Sequence, residues 1–184
     1  RHYVKLALND DLSAHLLDSF LDDLDPNRQF LLQSDINEFQ KYRTSLDNEL
    51  KKAQLDAGFA IFNRYRQRMI DRLQSALDTL PETIKAMDFE VDEDIQLDRA
   101  KEAWPKDSAA ADEIWRKQIK NRVLGLQLAG KDQAGIIDLL SKRFKNQIKR
   151  MSQLESEDAF QLYANAFASL YDPHTDYFSP RLSE

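Results

Sequence analysis

Cysteine is absent from this chain of 184 residues. Its absence excludes a disulfide framework and any thiolate metal site, and it leaves the redox compartment open. Glycine and proline are scarce, at four and five copies. Four scattered glycines cannot build a phosphate-cradling loop. Histidine stands only at His2, His15 and His174, far apart in sequence. No apolar run approaches the ~20 residues of a membrane-spanning helix. Basic residues are outnumbered, 26 against 32 acids, for a net charge of -6, which weighs against general nucleic-acid binding. No repeat of fixed period is present, so a helical solenoid is not supported.

What is present is helical spacing. Leu12, Leu16, Phe20 and Leu24 recur every four residues behind Asp10 and Asp11, acids that suit a helix N-terminus. Asp25-Pro26 closes that helix. Ser34 is positioned to cap a second, with Ile36, Phe39, Tyr42, Leu46 and Leu50 on its apolar face. Asp56 opens the longest, through Phe59, Phe62, Tyr65, Met69, Leu73, Ala76 and Leu80, with its end expected at Pro81. Residues 82–106 break the pattern. Between Asp88 and Asp98 there are six acids and no base, a solvated acidic run within an ordered loop that has room for one helical turn, ordered because Trp104 is too large and apolar to be left idle. Ser108 is placed to cap a helix carrying Trp115, Ile119, Val123 and Leu126, ended by Gly130. Asp132 starts another with Ile136, Leu140, Phe144, Ile148 and Met151. Ser156 starts the last, with Phe160, Tyr163, Phe167 and Leu170. The expectation is an all-α fold, an irregular bundle of about six helices with a short extended C-terminal segment. Residues 1–171 form the helical domain, and 172–184 form a connector that runs to Glu184.

Chemistry is hard to assemble from these residues. His15 borders an apolar helix face and reads as a packed or half-exposed side chain. His174 has Asp172, Asp176 and Ser179 beside it, so a Ser/His/Asp set can be spelled out. All lie within eight residues of one extended segment, however, and triads are assembled from distant segments. A turn-forming role is the better reading. The acids between Asp88 and Asp98 lack the glycine and ligand spacing of a calcium loop. Lys142, Arg143, Lys145, Lys149 and Arg150 surround Phe144 and Ile148 on an amphipathic helix. They read as a solvated face, with docking of an acidic partner or a lipid headgroup as the sharper alternative. The tail holds aromatic residues in an extended run between Pro173 and Pro180, and it reads as the start of a segment that continues into another domain. Arg1 is not a start methionine, which leaves room for a removed N-terminal segment.

Dispersed motifs then carry a resemblance over nearly the whole chain. They are His2-Tyr3, Leu8-Asn9-Asp10-Asp11-Leu12-Ser13, Leu24-Asp25-Pro26-Asn27-Arg28, Ser34-Asp35-Ile36, Leu97-Asp98-Arg99, Trp104-Pro105-Lys106 and Ser156-Glu157-Asp158-Ala159-Phe160. The most specific piece is the connector, with Asp172, Pro173, His174, Thr175, Tyr177, Ser179 and Pro180. Together these resemble the N-terminal helical domain of the tail-specific proteases, which are carboxy-terminal processing serine proteases. Asn9 stands where that family often has Asp.

The resemblance implies that a PDZ domain and a protease core lie downstream of Glu184 in the same chain. It implies a catalytic serine and a lysine base in that core, with no catalytic, cofactor-binding or metal-binding residue before Glu184 and no cofactor. It implies periplasmic location with possible inner-membrane association, protein substrates with apolar C-termini, and docking of a lipoprotein adaptor. On this reading the 184 residues by themselves are inactive. The competing reading is a freestanding all-α protein-interaction module of the cell envelope.

Overall fold

A computed structural model describes residues 10–171. Over that range the chain is all-α, with seven α-helices in the order α1 (Asp10–Leu24), α2 (Gln33–Phe39), α3 (Leu46–Lys51), α4 (Asp56–Lys85), α5 (Ser108–Leu128), α6 (Gln133–Gln153) and α7 (Ser156–Tyr171). One 3₁₀ turn, Gln40–Tyr42, follows α2. The expected C-terminal connector, up to and including Glu184, lies outside the described residues.

Two compact units divide the chain. The first comprises residues 10–26, 34–65 and 154–171 of the described range, and the second comprises 27–33 and 66–153. In the first unit α1 packs on α3 and α7. Leu12, Leu16, Phe20 and Leu24 are buried as their spacing predicts, and so are Leu17 and Leu21. Phe20 meets Tyr163 edge to face, with ring centres 5.2 Å apart. Gly58 sits against the same tyrosine, where a Cβ would lie 3.1 Å from the ring. A close approach of this kind is what a glycine within a helix permits.

The predicted second helix is two helices, which is why seven are found where about six were expected. The break has a tertiary cause. The Leu46 amide donates to buried Ser13 Oγ at 2.8 Å, while the Ser45 amide closes a tighter turn on the Tyr42 carbonyl. An acceptor from α1 thus caps α3, and no pattern within residues 34–50 announces it. Ser34 lies inside α2, which begins at Gln33, and is not its cap.

The second unit has a core of Leu73, Leu80, Ile84, Trp115, Ile119, Val123, Ile136, Leu140 and Phe144. Helix α4 does not stop at Pro81 but runs on to Lys85. An interior proline costs roughly 3 kcal/mol through its lost donor and ring clash. Burying Ile84 one turn later returns roughly 1.5–3 kcal/mol, so continuation is nearly neutral locally and the core decides it.

The cap of α5 is Asp107, whose carboxylate accepts from the Ala110 amide at 2.8 Å, and not Ser108. Its end is as expected. Gly130 adopts φ +91°, its amide donates to the Gln127 carbonyl, and the Lys131 amide donates to that of Leu126. This pair of bonds is the Schellman ending that favours glycine. Asp132 caps α6 by accepting from the Gly135 amide at 2.8 Å.

Candidate functional site

The second unit carries the richest polar chemistry, built where residues 86–107 lie against α5. Trp115 anchors the arrangement from below. It is only 3% exposed, its Nε1 donates to the Gln29 carbonyl at 2.9 Å, and its ring centre lies 5.4 Å from that of Phe30. Trp104 is half-buried rather than enclosed. It is roofed instead by the Arg28 guanidinium, 4.9 Å from the ring centre. That guanidinium also donates to the Glu102 carbonyl at 2.6 Å. Pro105 is buried, and its carbonyl accepts from the Gln33 amide at 2.8 Å.

The acidic loop is not simply solvated. Glu93 accepts from Arg116 and from Lys120, each at 2.6 Å at its shortest. Hydrogen bonds from those two cations hold its carboxyl down at about 2. Arg116 also clasps Glu113, with a shortest bond of 2.7 Å. Lys117 Nζ reaches the Asp94 carbonyl at 2.8 Å. Asp88 and Asp98 fold their carboxylates onto the Glu90 and Ala100 amides, which shapes the two loop ends. The loop is therefore strapped to one face of α5 by Arg116, Lys117 and Lys120. The signal in the sequence was there: an acid-only run followed by a helix whose bases recur one turn apart.

Farther along α5 lies a cleft of about 220 Å³, lined mainly by side-chain amides (Asn27, Gln29, Gln96, Gln118 and Asn121) with Arg122 and Leu97. Arg122 lies 5.8 Å from the ring centre of Trp115 and 5.9 Å from that of Phe144. Partial desolvation of the guanidinium, and then the charge of Arg143, lowers its pKa, although the side chain keeps an exposed face. No carboxylate pairs with it among the described residues. Gln118 Oε1 is buried without a hydrogen-bond partner. Neither Arg122 nor this cleft was singled out from the sequence, because its walls come from three separate stretches of chain.

The remaining candidates from the sequence resolve as follows. His15 is exposed, with Nδ1 2.7 Å from the Asp11 carbonyl oxygen. Lys142, Arg143, Lys145, Lys149 and Arg150 are all exposed around buried Phe144, and Lys142 pairs with Asp138 at 2.9 Å. The connector residues Asp172, Pro173, His174, Thr175, Tyr177, Ser179 and Pro180 lie outside the described residues, and so does Glu184, beyond which the catalytic dyad is expected. No helix among the described residues is long and apolar enough to cross a membrane.

Comparison with known proteins accounts for the dispersed motifs. The family model for the tail-specific protease N-terminal domain matches residues 1–181. The tail-specific protease of Haemophilus influenzae is 39% identical over 184 residues, which is 100% of this chain and 26% of that protein. The chain therefore spans about a quarter of the relative's length. The match runs through both compact units and through the strapped loop, and the chain belongs to the tail-specific protease N-terminal domain family.

Proposed function

We propose that these 184 residues are the N-terminal helical domain of a periplasmic serine endopeptidase that degrades or processes proteins recognised by their apolar C-terminal tails. The reading assigns the chemistry to a Ser–Lys dyad in a protease core downstream of Glu184, beyond a PDZ domain. A lysine serves as base in such a dyad when burial lowers its pKa enough to keep it neutral. The helical domain would wall a substrate chamber and dock a lipoprotein adaptor. The observation that carries the proposal is the match, at 39% identity, to the tail-specific protease of Haemophilus influenzae over the whole chain. The fold is compatible with a supporting role, since it supplies two compact helical clusters with charged faces.

The test is made on the intact protein. Removing residues 1–170 is expected to abolish cleavage of a folded, adaptor-delivered substrate while sparing that of a short unfolded peptide. Full-rate cleavage of the folded substrate after the deletion would sink the chamber and docking roles together. Replacing the dyad serine by alanine is expected to abolish both cleavages. The 184-residue chain alone is expected to hydrolyse neither.

A further inference from the structure

We infer that the shallow groove between the acidic loop and the outer face of α5 docks a polypeptide segment in which apolar side chains are flanked by lysine or arginine. The groove holds about 120 Å³ and belongs wholly to the second unit. Phe89, Val91 and Ile95 of the loop and Leu124 of α5 supply its apolar lining. Val91 is 52% and Leu124 40% exposed, and Leu128, one turn beyond Leu124, is 81% exposed. The core face of α5 runs instead through Trp115, Ile119 and Val123. Single exposed apolar side chains are ordinary on a protein surface, whereas neighbouring ones that line one concavity mark a contact.

Charge decides what the groove accepts. Glu93 and Glu113 are taken up by Arg116 and Lys120. Lys117 is turned onto the Asp94 carbonyl. Glu90, Asp92 and Asp94 are exposed, and no cation pairs with their carboxylates among the described residues. Glu90 and Asp92 flank Val91 in sequence, and Asp94 lines the groove itself. The apolar lining thus carries a rim of unneutralised negative charge. A cationic segment with apolar residues satisfies both, since its apolar side chains cover the lining while its ammonium or guanidinium groups meet the rim. The same rim disfavours the other occupants. An anionic lipid surface is repelled. A second copy laid groove to groove would set carboxylates opposite carboxylates. A chain-terminal carboxylate is repelled likewise, so the favoured segment is internal to its chain.

Photo-crosslinking to the intact protein tests this. Three peptides, blocked at both ends and carrying a photoreactive residue, are compared: one with leucines flanked by lysines, one with glutamate in place of each lysine, and one with serine in place of each leucine. The first is expected to label residues 89–95 or 117–128 about tenfold more than either of the others. Its labelling is expected to fall severalfold as salt is raised from about 50 to about 300 mM. The double variant Glu90→Gln with Asp92→Asn changes two exposed side chains and no core residue. It is expected to reduce labelling about fivefold and to flatten the salt dependence. Leu124→Ser is expected to reduce labelling about fivefold with the salt dependence retained. Equal labelling by the three peptides, no labelling of these residues, or unchanged labelling in both the double variant and Leu124→Ser would overturn the inference. So would a dimer of the intact protein that Leu124→Ser dissociates, because a second copy would then cover the groove. The readout is labelling and not cleavage, so its failure leaves the protease reading standing.

Discussion

Two tryptophans show how much side-chain fate depends on neighbours. Trp115 fills the core of its unit and donates its indole N–H to the Gln29 carbonyl. Trp104 lies half-buried under Arg28. Trp115→Ala is expected to cost about 3–5 kcal/mol, for the lost burial and the cavity left behind. Trp104→Ala should cost only about 1–2 kcal/mol, from partial burial and one cation–π contact. Urea denaturation of the two variants checks the order, and equal losses would contradict it. Glu93 supplies a pH signature. Its carboxyl is depressed from 4.5 to about 2 by Arg116 and then Lys120. Between those values the unfolded chain binds the proton more readily than the folded one. The stabilisation from this group is therefore whole above about pH 4.5 and is lost as the pH falls towards 2. Glu93→Gln is expected to lower the urea midpoint at pH 7, with the gap from the parent closing as the pH drops through that window. A gap that stays constant with pH would show that the ion pairs do not bias folding.

At the scale of elements, helix boundaries divide into those written locally and those imposed from elsewhere. Gly130 and Asp132 mark the end of α5 and the start of α6 by backbone chemistry alone, and both act as their positions predict. Pro81 is the opposite case. Its local rule says stop, and Ile84 in the core keeps α4 going to Lys85. Pro81→Ala restores the missing donor, so it is expected to stabilise the chain by about 1–2 kcal/mol, less than the full proline penalty because the unfolded chain also gains freedom. A destabilised variant, measured by thermal melting, would show that the ring's own packing matters more. The buried face of α7 is a smaller instance. Of the expected stripe, Tyr163 is buried and Phe167 half-buried, whereas Phe160 is 41% exposed and the small residues Ala159 and Ala166 are buried beside Tyr163. Phe20 needs the Tyr163 ring, and small residues on either side of it let the helix come close.

At the scale of the whole molecule, the chain holds two clusters of packing rather than one. Each has its own aromatic centre, Phe20 with Tyr163 in the first and Trp115 with Phe144 in the second. Local opening should follow those clusters. Phe144→Ala is expected to speed amide exchange in α5 and α6 more than in α1 and α7, and Phe20→Ala to do the reverse. Uniform acceleration in both variants, read by hydrogen-exchange mass spectrometry, would show that the clusters open only together. The strapped acidic loop, the Arg122 cleft and the basic face of α6 all belong to the second cluster.

The helical class, the four-residue stripe of α1 and the core faces of α5 and α6 were legible from spacing, because a 3.6-residue period records which side of a helix meets its neighbours. The motifs that pointed to the family were legible for another reason: they are residue identities at dispersed positions, and they survive without any coordinates. Tertiary structure alone decided the break before Leu46, the run of α4 past Pro81, the partners of Glu93 and the isolation of Arg122 from any carboxylate among the described residues. Each of these depends on an atom supplied by a distant part of the chain, and periodicity within one segment carries no record of that atom's position.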